Sequence, residues 1–534
     1  MFKSIRPLVF FPTFLILISA LLLSLFDLDK FTSVTTALNN KVLENFSWLF
    51  SLGSFYLLVL IAITYFSKLG NIRIGGEKST PRITKPRWFM VVLCTTLAVG
   101  VLFWTTAEPI YHLHTPPESL EIQPNSSEAI LFAFSAMFLH WGFTPYAIYC
   151  VPALIFALAF HNLRLPFSIS SLLMPICGRY LTPRVADIID ALALYSLVVG
   201  MASSLGTGAL TLIGGISQFF DIERNMFTLG IVITIIVFTF VCSAASGLNK
   251  GIAQLSKINF WMLIALFLFV LITGPTVFML SLGAEGFGAY LNNFFRLSLF
   301  TGQAAHDPWP QWWSVFYWAV WFAWAPITAM FLGKIACGYT VKEFIRINLI
   351  YPSLFILLWI SVFSGISVYL DTQGGGELYS VLNDSGVEQL LYYIMGKLPG
   401  SGLTCFFLIF VAFISYVTAA DSSTDAIGDL CTKNFNSDSD EKISMPIKIL
   451  WGALIGLVSW VMVSTVGLDG VKQLSNLGGL PATLIVLACS FTLVHWLRSP
   501  QILTHDFTGR TSGALQPSHI NEVLSSPQVN ESKV

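Results

Sequence analysis

Residues 309–324 read WPQWWSVFYWAVWFAW, and Pro326 follows two positions further on. Six tryptophans in this run exceed what an aromatic belt at a membrane interface needs. On a helix, Trp313, Tyr317, Trp321 and Trp324 recur at i, i+4, i+8 and i+11 and share one face. A wall of π faces does one thing that aliphatic packing cannot. It attracts a cation that neither donates a strong hydrogen bond nor loses its charge, which describes a quaternary ammonium group. For any single ring, helix packing or lipid contact is an equal explanation. For the set as a whole, the reading is a binding wall.

The chain around this wall has 534 residues, 55% of them hydrophobic and 11% charged, with a mean hydropathy of +0.73. Apolar stretches long enough to cross a bilayer recur along it, which excludes a soluble enzyme and implies an all-α polytopic membrane protein. About twelve spans are predicted, near 8–26, 46–66, 88–106, 129–160, 186–213, 226–244, 258–281, 312–333, 347–370, 401–420, 447–467 and 477–497. Lys3 and Arg6 precede an apolar run that lacks a small-residue cleavage site, so the first span is predicted to be a membrane helix and not a cleaved signal. Even-numbered loops carry the basic residues, among them Lys68, Arg73, Lys78, Lys85, Arg164, Lys250, Lys334 and Lys342. Odd-numbered loops carry acids such as Glu118, Glu121, Asp371 and Glu388. The positive-inside rule then places both termini in the cytoplasm of a cell whose inner membrane holds the protein. A formal charge of −1 and the lack of a basic tract give no nucleic-acid partner. The eight cysteines are scattered, several inside spans, and read as packing residues. A short interfacial helix is predicted over 288–300, and a disordered tail from Ser499 onward.

Four spans carry features that break helices inside a membrane. The third has Gly100 among paired threonines, the fifth has Gly200, Gly206 and Gly208, the eighth has Pro326, and the tenth ends in FISYVTAADSSTDA. Pro145, between Trp141 and Tyr146, is expected to bend the fourth span and re-aim its rings. Interruptions at matching places in two halves point to an inverted-repeat transporter. His140 stands isolated in the sequence, and His112 and His114 are predicted on an outer loop. No metal-ligand spacing and no nucleophile elbow occurs, so the chain is not read as an enzyme.

Residues 313–344, WSVFYWAVWFAWAPITAMFLGKIACGYTVKEF, closely resemble the signature of the betaine/carnitine/choline transporter family. FWTTAEPIYH (103–112), HWGFTPYAIY (140–149), ASSLGTGAL (202–210), SGLNKGIAQLSKIN (246–259) and VTAADSSTD (417–425) match in the family's order. The resemblance implies a leucine-transporter-like fold with two inverted five-helix repeats. The corresponding division is 1–87 for two extra helices and a loop, 88–285 for the first repeat, 286–311 for an interfacial helix and linker, 312–498 for the second repeat, and 499–534 for the tail. It also implies a small-molecule substrate with a trimethylammonium or related head group, a lipid bilayer as surroundings, and in many members a homotrimer.

On the positions that match the family's substrate box, Trp141, Tyr146 and Tyr149 stand on the fourth span and Trp321 and Trp324 on the eighth, with Phe316 and Trp318 expected to line or support the same route. Thr96, Ala98 and Gly100 occupy the part of span three that faces the box, where the family favours glycines, and Val320 stands where the family has a further tryptophan. For sodium as a coupling ion, the resemblance points to carbonyls near Cys94 and Leu97 with Thr418 and Ala419, and to a second site at Leu197 and Met201. The side chains of the second set offer no oxygen, so that site is expected to be missing. Lys257 is a candidate internal cation in place of an ion, or a side chain that snorkels to the cytoplasm. No organic cofactor is expected. The function expected is secondary active uptake or exchange of a compound such as betaine, carnitine or choline. The alternative is a different small zwitterion or amino acid carried on the same scaffold.

Overall fold

The computed structural model describes residues 5–81, 83–96, 98–220, 222–245, 249–432 and 445–504. Helices occupy most of these positions, and among them no strand occurs, only two isolated bridges, Ile5 with Thr432 and Arg73 with Thr340. In chain order the principal helices are α1 (Pro7–Phe26), α2 (Leu28–Phe66), α3 (Lys85–Thr96), α4 (Ala98–His114), α5 (Ser127–Trp141) and α6 (Phe143–His161). They continue with α7 (Pro183–Phe220), α8 (Met226–Ala245), α9 (Asn249–Thr273), α10 (Thr276–Ser298) and α11 (Phe316–Lys334). Then come α12 (Tyr351–Gln373), α13 (Glu377–Asp384), α14 (Val387–Gly396), α15 (Ser401–Cys431), α16 (Met445–Thr465) and α17 (Leu468–Arg498). Eleven helical stretches among the described residues are long and apolar enough to cross a membrane, and a twelfth arises if α3 and α4 form one bent span. Lys85, Arg164 and Lys334 mark one face of this bundle and Glu118, Asp307 and Asp469 the other, called here the basic and acidic faces.

Chain chemistry sets the element ends. Pro7 starts α1, where its missing N–H costs nothing, and the Asp27 side chain accepts from the Lys30 amide to open α2. That cap starts α2 well before the predicted span at 46, because the polar turn TTALNNKVLENF stays helical. Pro275 separates α9 from α10. The span predicted to reach 281 therefore stops at Thr273, and the interfacial helix predicted over 288–300 runs over Thr276–Ser298 instead. Its buried residues Met279, Leu282, Gly286 and Tyr290 repeat at three to four positions, the mark of a helix lying on a surface. The tail predicted to be disordered from Ser499 begins with a turn over Pro500–Thr504 that buries Ile502 and Leu503, and residues 505–534 lie outside the described ones.

The expected interruptions fall differently from the prediction. α3 and α4 meet at a bend of 60°, as the third span was expected to. α7 instead runs unbroken through its glycines, which serve close packing: a Cβ on Gly206 would stand 2.5 Å from a Val463 methyl group. α11 continues through Pro326, and its irregularity is a π-helical turn over Gln311–Val315. α15 also continues, and the hydroxyls of Thr418, Ser423 and Thr424 donate to carbonyls four residues earlier in the same helix without breaking it. In the fourth span the break lies at Gly142, with ψ −127°, and Pro145 sits in the first turn of α6 where a proline is tolerated.

α11 and α17 pack backbone to backbone. A Cβ on Gly479 would stand 2.6 Å from the Ala319 carbonyl oxygen and 2.6 Å from its Cα. Gly479→Ala should therefore cost about 1–3 kcal/mol by overpacking and lower the melting temperature in detergent. Gly402→Ala, where nothing lies within 4 Å of a new Cβ, should leave the melting temperature unchanged or raise it slightly.

Candidate functional site

The bend between α3 and α4, the break at Gly142 and the regular stretch of α11 converge on one cavity. Gly100, Val101 and Trp104 of α4 form one wall, and Phe316, Tyr317, Val320, Trp321 and Trp324 of α11 form another. Trp141 and Tyr149 close it from α5 and α6, Ser203, Ser204 and Thr207 of α7 add a polar rim, and Val471 of α17 lines it as an apolar neighbour. The α11 positions recur at three to four residues because one helical face looks into the space.

The rings meet edge to face. Trp321 lies 5.8 Å from Trp141 at 79° and 4.9 Å from Tyr149 at 61°, centroid to centroid. Such contacts leave part of each π face open to the cavity. Trp141 also touches Tyr317 at 5.3 Å, and Trp104 reaches Phe316 at 5.4 Å, so aromatic surface continues from the cavity toward the acidic face. The Tyr317 hydroxyl is buried and makes no hydrogen bond among the described residues. Glu108 and Trp141 are its polar neighbours in the wall of the site.

Hydrogen bonds fix the two tryptophans. The Trp141 indole N–H donates to Glu108 Oε2 at 3.0 Å, and the Trp321 indole N–H donates to the His140 carbonyl at 3.2 Å. Glu108 is fully buried, and its Oε1 meets His112 Nε2 at 3.0 Å and His140 Nδ1 at 2.6 Å. His140 Nε2 continues to the Ser314 hydroxyl at 2.9 Å. The sequence left His140 isolated and put His112 on an outer loop. Instead, α4 extends to His114, one helical turn separates Glu108 from His112, and α5 brings His140 against both. The three ligand-type atoms lie within 4.8 Å of one another, which is also metal-binding geometry. The hydrogen bonds and the indole donor already satisfy the carboxylate, so its evident work is bracing the rings.

Of the residues singled out for the substrate, Trp141, Tyr149, Phe316, Val320, Trp321, Trp324 and Gly100 line the cavity. Tyr146 stands behind, 5.7 Å from Trp321, with its oxygen accepting from Thr96 at 3.3 Å. Ala98 belongs to α4, but its side chain lies outside the described residues. Trp104, Tyr317 and the α7 hydroxyls line the cavity too. They stood inside quoted motifs, and only the fold shows that they face the same space. Among the residues singled out for ion coupling, Cys94 is buried and donates to the Ser256 carbonyl, and Thr418 is buried and donates to the Ile414 carbonyl. Ala419 is buried, Leu97 lies outside the described residues, and Lys257 is exposed on α9 and does not line the cavity. Leu197 and Met201 are both buried.

Glu108→Ala removes the shared acceptor of two imidazoles and an indole. Leaving buried donors unpaired costs about 1–3 kcal/mol each, so this variant should melt well below Glu108→Gln, which keeps an acceptor oxygen. Thermal unfolding in detergent would show the order.

A profile described as BCCT, betaine/carnitine/choline family transporter, matches residues 8–502. A probable glycine betaine transporter of Desulfitobacterium hafniense is 28% identical over 85% of this chain and 90% of its own. An ectoine/hydroxyectoine transporter of Virgibacillus pantothenticus is 29% identical over 87% and 91%. An osmo-independent choline transporter of Acinetobacter baylyi is 29% identical over 90% and 91%.

Proposed function

The chain belongs to the betaine/carnitine/choline family of transporters, and from that membership we propose that it is a secondary active transporter of a quaternary-ammonium or related osmolyte. The observation that carries this reading is the trio of Trp141, Tyr149 and Trp321, whose rings meet at 4.9–5.8 Å in one cavity wall. A permanent cation desolvated among them gains about 0.5–2 kcal/mol per face. Several such faces supply a useful part of the roughly −8 kcal/mol that micromolar affinity needs. The Tyr317 hydroxyl and the rim of Ser204 and Thr207 suit an oxygen-bearing end of the same guest.

On this reading the acidic face is outside and the basic face cytoplasmic, as the loop charges require. The repeats are 88–285 and 312–498, and their first helices, α3–α4 and α11, supply facing walls of the cavity. Alternating access then exposes the cavity to one face at a time. For sodium, a hard cation that needs oxygen ligands, Leu197 and Met201 give no side-chain oxygen, so the second family site is absent from the mechanism. The first site is left with Thr418 and backbone carbonyls beside the bend at α3. Val320, in the wall where the resemblance places a tryptophan, supports the second reading, a different small zwitterion or amino acid on the same scaffold.

Radiolabelled glycine betaine uptake into proteoliposomes tests the main reading. Trp321→Leu should lower uptake at least tenfold at subsaturating substrate while the protein stays folded. Wild-type uptake that Trp321→Leu leaves intact would refute the box. Flux ratios under imposed sodium gradients should give no more than one Na+ per substrate. Two would show that the second site exists despite its apolar side chains.

A further inference from the structure

One half-buried charge near the cavity has no role in the account so far. Lys472 lies in the first turns of α17, next to Val471, which lines the cavity. Its ammonium sits 4.6 Å from the Trp313 ring centroid and 5.6 Å from that of Phe316. Phe316 itself lines the cavity, so this lysine rests on the same aromatic surface that a guest cation would use. Asp469 and Glu108 are the acidic groups close enough to feel it. Neither makes an ion pair with Lys472, and Lys472 makes no hydrogen bond among the described residues. The Glu108 oxygens are taken by His112, His140 and Trp141. The protein thus places a cation with no ion-pair partner among the described residues at the acidic-face end of an aromatic cavity, over two ring faces and within the field of two acids.

A charge inside a membrane protein is costly unless it is paired or used. For a purely cationic guest such as choline, Lys472 is a like charge on the approach. For a zwitterion it is a missing counter-ion: the carboxylate can take the ammonium off the rings while the guest's own quaternary nitrogen takes ring faces in exchange. The four-carbon stem lets the ammonium leave Trp313 and Phe316 without moving the backbone. We propose that Lys472 is a specificity-determining residue that receives the carboxylate of an incoming zwitterion and so makes the cavity prefer zwitterions over plain quaternary cations. This inference rests on the reading of the cavity as a quaternary-ammonium box.

Calorimetric binding of glycine betaine and of choline to the purified protein tests it, because the two share a trimethylammonium and differ in carboxylate against hydroxyl. Wild type should bind glycine betaine at least tenfold tighter than choline. Lys472→Met should weaken glycine betaine at least tenfold and tighten choline, and Lys472→Arg should restore most of the original order. Should Lys472→Met not be recovered folded, Lys472→Gln carries the same expectation. A wild type that binds choline as well as glycine betaine overturns the proposal, and so does a Lys472 variant that shifts both ligands by one factor or neither. A wild type that binds neither ligand contradicts the box itself and the inference with it. Good choline binding by wild type would sink the Lys472 proposal and leave the box standing.

Discussion

One buried carboxylate orients the binding wall. Glu108 holds Trp141 directly through the indole N–H. It holds the ring of His140, whose backbone carbonyl accepts from Trp321. The two tryptophans that meet edge to face in the cavity wall, one on α5 and one on α11, are thereby tied to a single side chain on α4. Aromatic rings bind a cation well only if their faces are held open toward it, and free indoles in an apolar core would collapse onto one another. The brace removes that freedom. Its cost is the desolvation of a charge, and two imidazoles and an indole offset it.

The second constraint is close helix approach. Small residues sit where α7 and α17 meet α11: Gly200 lies against Ala323 and Trp324, and Gly479 against Ala319. These contacts seat α11 so that one of its faces looks into the cavity and the other is buried among its neighbours. Trp318, on the far side, packs against the His140 ring and does not line the cavity. The aromatic run therefore divides by helical phase into rings that face the cavity and rings that hold the helix in place.

Much of this was legible in the chain. Hydropathy alone shows the spans, since apolar length is what a bilayer demands. The i, i+4, i+8 spacing from Trp313 finds the face of α11, although Trp313 itself lies beyond the cavity, under Lys472. Helix breaks were less legible. Glycine and proline mark places where a helix can yield, but whether it does depends on neighbours, and α7 and α11 both run straight through theirs. The Glu108, His112 and His140 brace was hidden because His140 is far from the other two in sequence. His112 also looked like loop until α4 proved to continue past Pro109 to His114. Lys472 was hidden for a similar reason, since only the packing of α17 against α11 puts it over the rings.

The central claim is that ring faces hold a positive charge and not merely a bulky methyl cluster. Calorimetry with glycine betaine and with 3,3-dimethylbutyrate separates the two, because the second compound keeps the shape and the carboxylate and replaces the cationic nitrogen by carbon. If cation–π attraction carries the site, glycine betaine binds and the carbon analogue binds at least tenfold more weakly. Equal affinity for the two would contradict the account.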